Sequence, residues 1–417
     1  MSWTLNFLIR IALAAVLFAA GGIVASKWWD KCGLKTAVAY YAVRIAFMVA
    51  AVEALGMVPF DVSGWHLHAG WMLDGLFPGR DFLTPYHLGF NGLLALCELV
   101  WRSPSSIIVF FTLCEVLALR LLYKVADKLL GRKVAKRGMI LYLSSPICLM
   151  QSTFSAQDET LFTLAIAAFL YFTFVADSPV GRSVTSVLTV LCTKLIAPFY
   201  MVPFLLLRRW KAVAVFGLAF AAYMWADVLL GVPKLGFLFG REPGLTAPSD
   251  DILGLATSGN LASLFPMVSG TIWNIALVAL LSVTGLVALR PLPAETDERG
   301  RLSLAIRLAT VWLLIFMLFY RMTYTYYVIP VFPLMCVMAQ DETFLLRRMR
   351  PVAVAWVFLF AFKDMLQTGY DYYGFLAGHT WVTTFVSSLC AVSTAMLLLG
   401  QKPIFKGGRQ SGATSPL

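Results

Sequence analysis

The stretch Pro59–Leu96, PFDVSGWHLHAGWMLDGLFPGRDFLTPYHLGFNGLLAL, decides how the rest of the chain is read. It carries three carboxylates (Asp61, Asp74, Asp81), Arg80, three of the four histidines (His66, His68, His87) and several aromatic rings. An apolar run of about twenty residues, long enough to cross a bilayer, precedes it, and another follows soon after. A polar, acid-bearing segment held between two such runs is where chemistry at a membrane surface would be placed.

Composition sets the class. Of 417 residues, 60% are hydrophobic and 13% charged, against roughly 25% charged in a soluble domain; the mean hydropathy is +0.79. The chain is therefore expected to be an all-α, polytopic integral membrane protein forming a single unit over 1–417. Apolar windows place about thirteen spans, at 3–26, 36–58, 104–123, 138–155, 159–175, 183–194, 195–207, 212–230, 267–289, 305–320, 324–340, 352–368 and 381–399. The pair over 183–207 is interrupted by Lys194, Pro198 and Pro203; broken spans persist where protein or a wet cavity satisfies the freed backbone. The opening segment is too long, and lacks the basic start, for a cleaved signal, and reads as a retained span. Seven cysteines without a CxxC pair read as small core hydrophobes.

The net charge of +11 fits the excess of Lys and Arg in cytoplasmic loops and does not need a nucleic-acid partner. Alternate connections, at 27–35, 120–137, 182, 208–211, 290–307, 347–350 and 402–409, hold 24 of the 33 basic residues. That side is expected to be cytoplasmic, with the C-terminal tail (400–417) on it. The N-terminus, the loop 59–103 and a second loop over 231–266 then lie outside, together with 155–159, 320–324 and 368–381. No GxxxxGK[ST] phosphate loop is present, so an activated substrate is expected from the membrane and not as a cytoplasmic nucleotide.

Several motifs then line up. Asp61 follows a span; Gly75-Leu76-Phe77-Pro78-Gly79-Arg80-Asp81-Phe82 leads to Pro85-Tyr86; Ala156-Gln157-Asp158-Glu159 opens a span; Thr193-Lys194-Leu195-Ile196-Ala197-Pro198 is followed by Pro203 and Arg208-Arg209; Ser258-Gly259-Asn260-Leu261-Ala262-Ser263 ends the long loop. This ordered set, over about residues 36–265, resembles the membrane glycosyltransferases of the C-type fold (GT-C), and more narrowly the bacterial polyprenol-phosphate-mannose-dependent mannosyltransferases. It departs from them at Gly79, where Tyr is frequent, and at Leu88, where Pro is. A lone Asp61, in place of an Asp-x-Asp pair, weakens a claim for a divalent metal without closing that question. The resemblance implies inverting transfer of one sugar, mannose-like or another hexose or pentose, from a polyprenyl-phosphate donor to an acceptor hydroxyl on a glycan, lipid or protein. It also implies short amphipathic helices in the loop 59–103 and a place in a bacterial inner membrane.

Each candidate residue has a plainer reading beside it. Asp61 and Asp81 are the candidate catalytic carboxylates; a helix cap and one half of an ion pair with Arg80 are the alternatives. Arg80, Lys194 and Arg321 are candidates to neutralise the departing phosphate, with Tyr324 beside Arg321. Lys194 stands within an apolar span, where a lysine costs about 2.5–3.5 kcal/mol unless it is paired or wetted; snorkelling is its alternative. The candidate substrate-cavity residues are His66, His87, Tyr86, Gln157, Asp158, Glu159, Asn260 and Tyr327, with Ser263 on the long loop. The tyrosines near 324–327 could equally be an interfacial belt. Tyr370, Asp371, Tyr372 and Tyr373 could stack on a sugar or anchor at the interface. His66 and His68 point to different faces of a helix, which argues against a metal pair. A transporter or lipid-linked-sugar flippase would show matching broken spans in two halves, and one clear interrupted pair counts against it. A polysaccharide polymerase or ligase would place its large outer loop late in the chain.

Overall fold

A computed structural model of the chain describes residues 3–78, 80–82, 84, 86, 88–191, 197–205, 210–229, 260–265, 267–289, 297–320, 323–340, 345–368 and 380–401. Among them every regular element is helical, as a bilayer requires of a chain that cannot close a barrel. Among the described residues five helices are long and apolar enough to cross a membrane: α1 (Trp3–Lys27), α2 (Leu34–Leu55), α5 (Pro104–Leu130), α12 (Gly270–Ala288) and α13 (Glu298–Phe319). Shorter apolar helices include α4 (Leu88–Val100), α7 (Glu159–Phe174) and parts of α10 (Trp210–Leu229) and α16 (Thr380–Leu399). The thirteen expected spans are thus not thirteen long helices among the described residues.

Proline chemistry explains two of the differences. The window 138–155 is split into α6 (Arg132–Leu143) and a π-helical turn over Cys148–Phe154. Pro146 has no N–H to continue the ladder of α6. The window 324–340 is a 3₁₀ turn (Thr325–Val328) followed by α14 (Phe332–Met338), with Pro330 and Pro333 at the junction. The interrupted pair over 183–207 contains two helices, α8 (Pro179–Leu191) and α9 (Ala197–Leu205). They pack differently, α8 mainly on α7 and α10 and α9 mainly on α13. A short helix, α11 (Leu261–Leu264), and α15 (Arg350–Thr368) complete the set.

Helix α13 is the centre. From Leu308 to Leu318 every residue is buried, the mark of a helix enclosed on all sides. α12 is peripheral instead, with Ile272, Ile275, Val278 and Leu286 exposed, a face suited to lipid. Cys114, Cys148, Cys336 and Cys390 are free and buried; Cys192 lies outside the described residues.

Within 59–103 two short helices pair, α3 (Phe60–Leu73) and α4. Val62, Trp65 and Ala69 face Phe90 and Leu94, and Trp65 meets Phe111 of α5 at 5.3 Å between ring centroids. The other face leaves Phe60, Leu67, Leu96, Leu99 and Val100 exposed. Short helices thus stand where the resemblance implies them, but with large apolar side chains on the exposed as well as the buried face they are not the amphipathic elements expected.

The connections sort to two ends. At one, Arg137 donates to the Ser26 carbonyl, Lys136 to that of Asp30 and Lys128 to that of Phe174, so the basic loops 26–31, 124–137 and 174–182 are neighbours. At the other, α3 and the turn 155–159 meet through the Gln157–Asp61 contact.

Candidate active site

Two unusual pieces of backbone build the site. The first is the π-helical turn Cys148–Phe154 and its exit. Ser155 N–H donates to the Met150 carbonyl at 3.0 Å and Gln157 N–H to that of Gln151 at 3.2 Å. Between them Ala156 takes φ +47°, in the left-handed region, which costs a residue with a Cβ roughly 1–2 kcal/mol. Both π-turns and such outliers cluster at functional sites. The second piece is the 3₁₀ turn Thr325–Val328, which carries Tyr326 and Tyr327 and has Tyr324 at its N-cap.

The exit of the π-turn delivers Gln157 to Asp61. Gln157 Nε2 donates to Asp61 Oδ2 at 2.7 Å, across 96 positions of sequence. Asp61 stands in the first turn of α3, where the helix dipole favours a carboxylate, and its side chain is tied to the partner segment. Asp61 is half-buried and Gln157 buried. Glu159 is wholly buried at the start of α7, and Asp158 nearly so. Asp61 and Glu159 lie within electrostatic reach of the Tyr326 phenol. Tyr324 stacks on Tyr326 at 5.1 Å with rings 4° from parallel, and both meet Tyr327 edge-on. The Tyr327 carbonyl accepts from Tyr200 Oη at 2.9 Å.

Other candidates are placed differently. Asn260 is fully buried and its Nδ2 donates to the Tyr320 carbonyl at 2.6 Å, a clasp on the end of α13. The Tyr86 ring stacks on Phe90 at 4.3 Å within the aromatic core of α3 and α4. Asp81 and Arg80 form an exposed pair of 2.6 Å, and Asp81 also accepts from Phe77 N–H at 2.7 Å. Together the Arg80 guanidinium and that N–H hold the Asp81 carboxyl below the usual carboxylate range. Their contacts are local, and none reaches Asp61 among the described residues. His66 Nδ1 lies 2.7 Å from the buried Glu98 Oε1 of α4, a partner not picked out from the sequence. His68 sits between Trp71 and Phe82, where burial pushes its pKa down. Lys194, Arg321, His87, the Ser263 side chain and Tyr370–Tyr373 lie outside the described residues. Glu98 is therefore the addition the structure makes to the candidate set. It had a signal, a single acid in an otherwise apolar helix; Tyr326 was already legible as one of the tyrosines at 324–327.

A half-buried carboxylate held by a neutral amide donor, next to phenols, can orient a hydroxyl group and accept its proton. Comparison with known families bears on whose hydroxyl and which reaction. Residues 93–191 match the family model of dolichyl-phosphate-mannose-protein mannosyltransferase. The chain is thus similar over this segment to the membrane mannosyltransferases, and the resemblance drawn from its motifs holds there. The matched segment runs from within α4 through α8 and includes the π-turn and Gln157–Glu159. Asp61 and the tyrosines lie outside it, so the mannosyltransferase-like segment supplies one side of the Asp61–Gln157 contact. The match supports a membrane glycosyltransferase as the class. No curated protein matches the chain.

Proposed function

We propose that the chain transfers a single sugar, with inversion, from a polyprenyl-phosphate donor to an acceptor hydroxyl at the non-cytoplasmic face of a bacterial inner membrane. The observation that carries this reading is the Gln157–Asp61 contact at 2.7 Å, which joins the family-matched segment to the carboxylate in the first turn of α3. In the reaction the acceptor oxygen attacks the anomeric carbon of the donor. Asp61 takes the hydroxyl proton. The bond from the anomeric carbon to the phosphate oxygen breaks, and the polyprenyl phosphate leaves with the electron pair.

The departing phosphate gains charge, and fixed cations stabilise it best in a water-poor site. Lys194 and Arg321 are assigned that role by their chemistry and position in the sequence, with Tyr324 three residues after Arg321 in the chain. Arg80 is engaged with Asp81 and would serve the phosphate only by exchanging that partner. The lipid donor enters laterally between spans, and the acceptor, whether glycan, lipid or protein, approaches over α3.

Asp61→Asn tests the assignment. It keeps the shape and removes the proton acceptor, so transfer from polyprenyl-phosphate sugars should fall by about 10²–10⁴-fold, with membrane insertion and melting temperature retained. Full activity in purified Asp61→Asn protein, with a donor the unaltered protein uses, would remove Asp61 from the mechanism.

A further inference from the structure

We propose that the buried Arg44–Glu115 pair is a positioning device for this site, fixing the π-helical turn that carries Gln157 to Asp61. The pair joins α2 to α5, with Arg44 Nη1 2.7 Å from Glu115 Oε2 and both side chains almost wholly buried. It is a charge contact more than an aligned hydrogen bond, and the directional bonds go elsewhere. Arg44 Nη2 donates to the Ser152 carbonyl, inside the π-turn, at 2.6 Å. Glu115 Oε1 accepts from Tyr142 Oη of α6 at 3.0 Å and from Cys148 Sγ, the first residue of the π-turn, at 3.5 Å. Tyr142 Oη is 3.4 Å from Ser152 Oγ. The two charges thus grip the π-turn at both Cys148 and Ser152, with α2, α5 and α6 as the frame.

Charges inside membrane spans are costly and are usually functional. Stability does not explain this pair, because apolar residues of similar size commonly replace a buried ion pair without loss. What the forked guanidinium adds is a fixed bond to a carbonyl of a helix that has left α geometry. From that carbonyl the path to the site is short. The neighbouring Gln151 carbonyl accepts from Gln157 N–H, and Gln157 Nε2 reaches Asp61. Among the described residues Arg44 and Glu115 contact neither Asp61 nor Gln157, so they act through the turn. The catalytic consequence rests on the glycosyl-transfer reading; the positioning of the turn does not.

The test uses full-length protein in detergent. Arg44→Met/Glu115→Met removes both charges and keeps the volume. Arg44→Lys keeps the charge opposite Glu115 and removes the fork. Both variants should melt within a few degrees of the unaltered protein. Both should show amide exchange at residues 155–160 faster by at least tenfold, and kcat lower by at least tenfold with the KM for donor within about twofold. Exchange and kcat at unaltered levels in either variant would overturn the proposal. So would failure of both variants to fold, which would make the pair's role structural alone. If the unaltered protein transfers no sugar but exchange at 155–160 still accelerates, the functional reading fails and the positioning role stands.

Discussion

At the scale of single residues, the site depends on a donor and an outlier. Gln157 gives the Asp61 carboxylate its only hydrogen bond among the described residues, and a bond to a charged group contributes about 1.5–3 kcal/mol. Gln157→Leu should therefore lower kcat roughly ten- to hundredfold while sparing the fold, and Gln157→Glu should lower it further by setting two carboxylates together. Single-turnover kinetics with saturating donor separate this from weaker binding; unchanged kcat in Gln157→Leu would leave the contact without a role. Ala156 carries the strain of the turn at φ +47°. Glycine adopts that conformation freely, so Ala156→Gly should keep activity and melt no lower than the unaltered protein. Ala156→Val adds two methyl groups at a buried position that already bears the strain, so it should lose about 1–3 kcal/mol more, read as a lower melting temperature. Asp61 and Gln157 were each legible in the sequence as members of motifs. Their meeting was not, because 96 residues separate them and no local pattern encodes the contact. Asn260 and Tyr86 show the converse. Both stand in recognisable motifs, yet one clasps a backbone carbonyl and the other fills the core of α3 and α4, since a motif fixes position and leaves orientation to packing. The rule that singled out Lys194, a lone charge within an apolar run, applied equally to Arg44 and Glu115 and would have found them.

At the scale of elements, apolar length was read well and proline interruption poorly. The apolar windows 3–26, 36–58 and 267–289 match α1, α2 and α12 to within about three residues, whereas α5 runs on to Leu130 past its window's end at 123 and α13 starts at Glu298 before its window's start at 305, because both helices continue into charged turns that hydropathy leaves out. Pro146 and Pro330 lie inside apolar windows that hydropathy alone treats as continuous, and there the chain forms the π-turn and the 3₁₀ turn from which the site is made. These departures need tight helix packing to hold them in place. Gly138 of α6 supplies one such contact. A Cβ there would lie 2.6 Å from the Val337 Cα of α14, and backbone on the far side cannot give way as a flexible side chain can. Close approach through a small residue is the usual means of packing helices in a bilayer. Gly138→Ala should therefore destabilise by about 1–3 kcal/mol, whereas Gly217→Ala, with open space around its Cβ, should not. Equal thermal melting of the two in detergent would mean that α6 and α14 tolerate a wider separation.

At the scale of the whole molecule, the basic residues and the site occupy opposite connections. The hydrogen bonds of Arg137, Lys136 and Lys128 tie three basic segments to one another, while Asp61, Gln157 and Tyr326 gather segments that carry few cations. A bilayer separates such ends by about 30 Å of hydrocarbon, and retention of Lys and Arg on the cytoplasmic side orients the protein. The proposed reaction requires the site on the other side, where a polyprenyl-phosphate sugar and its acceptor meet. Two cysteine probes decide this. Cys32 lies in the basic connection between α1 and α2, and Ser63 is exposed on α3 beside the site. In a background with the other cysteines replaced, a membrane-impermeant maleimide applied to intact cells should label Ser63→Cys and leave Cys32 unlabelled. Permeabilised cells should label both. Labelling of Cys32 in intact cells, with Ser63→Cys protected, would turn the protein over in the membrane. The site would then face the nucleotide sugars of the cytoplasm, and a lipid-linked donor would lose its reason.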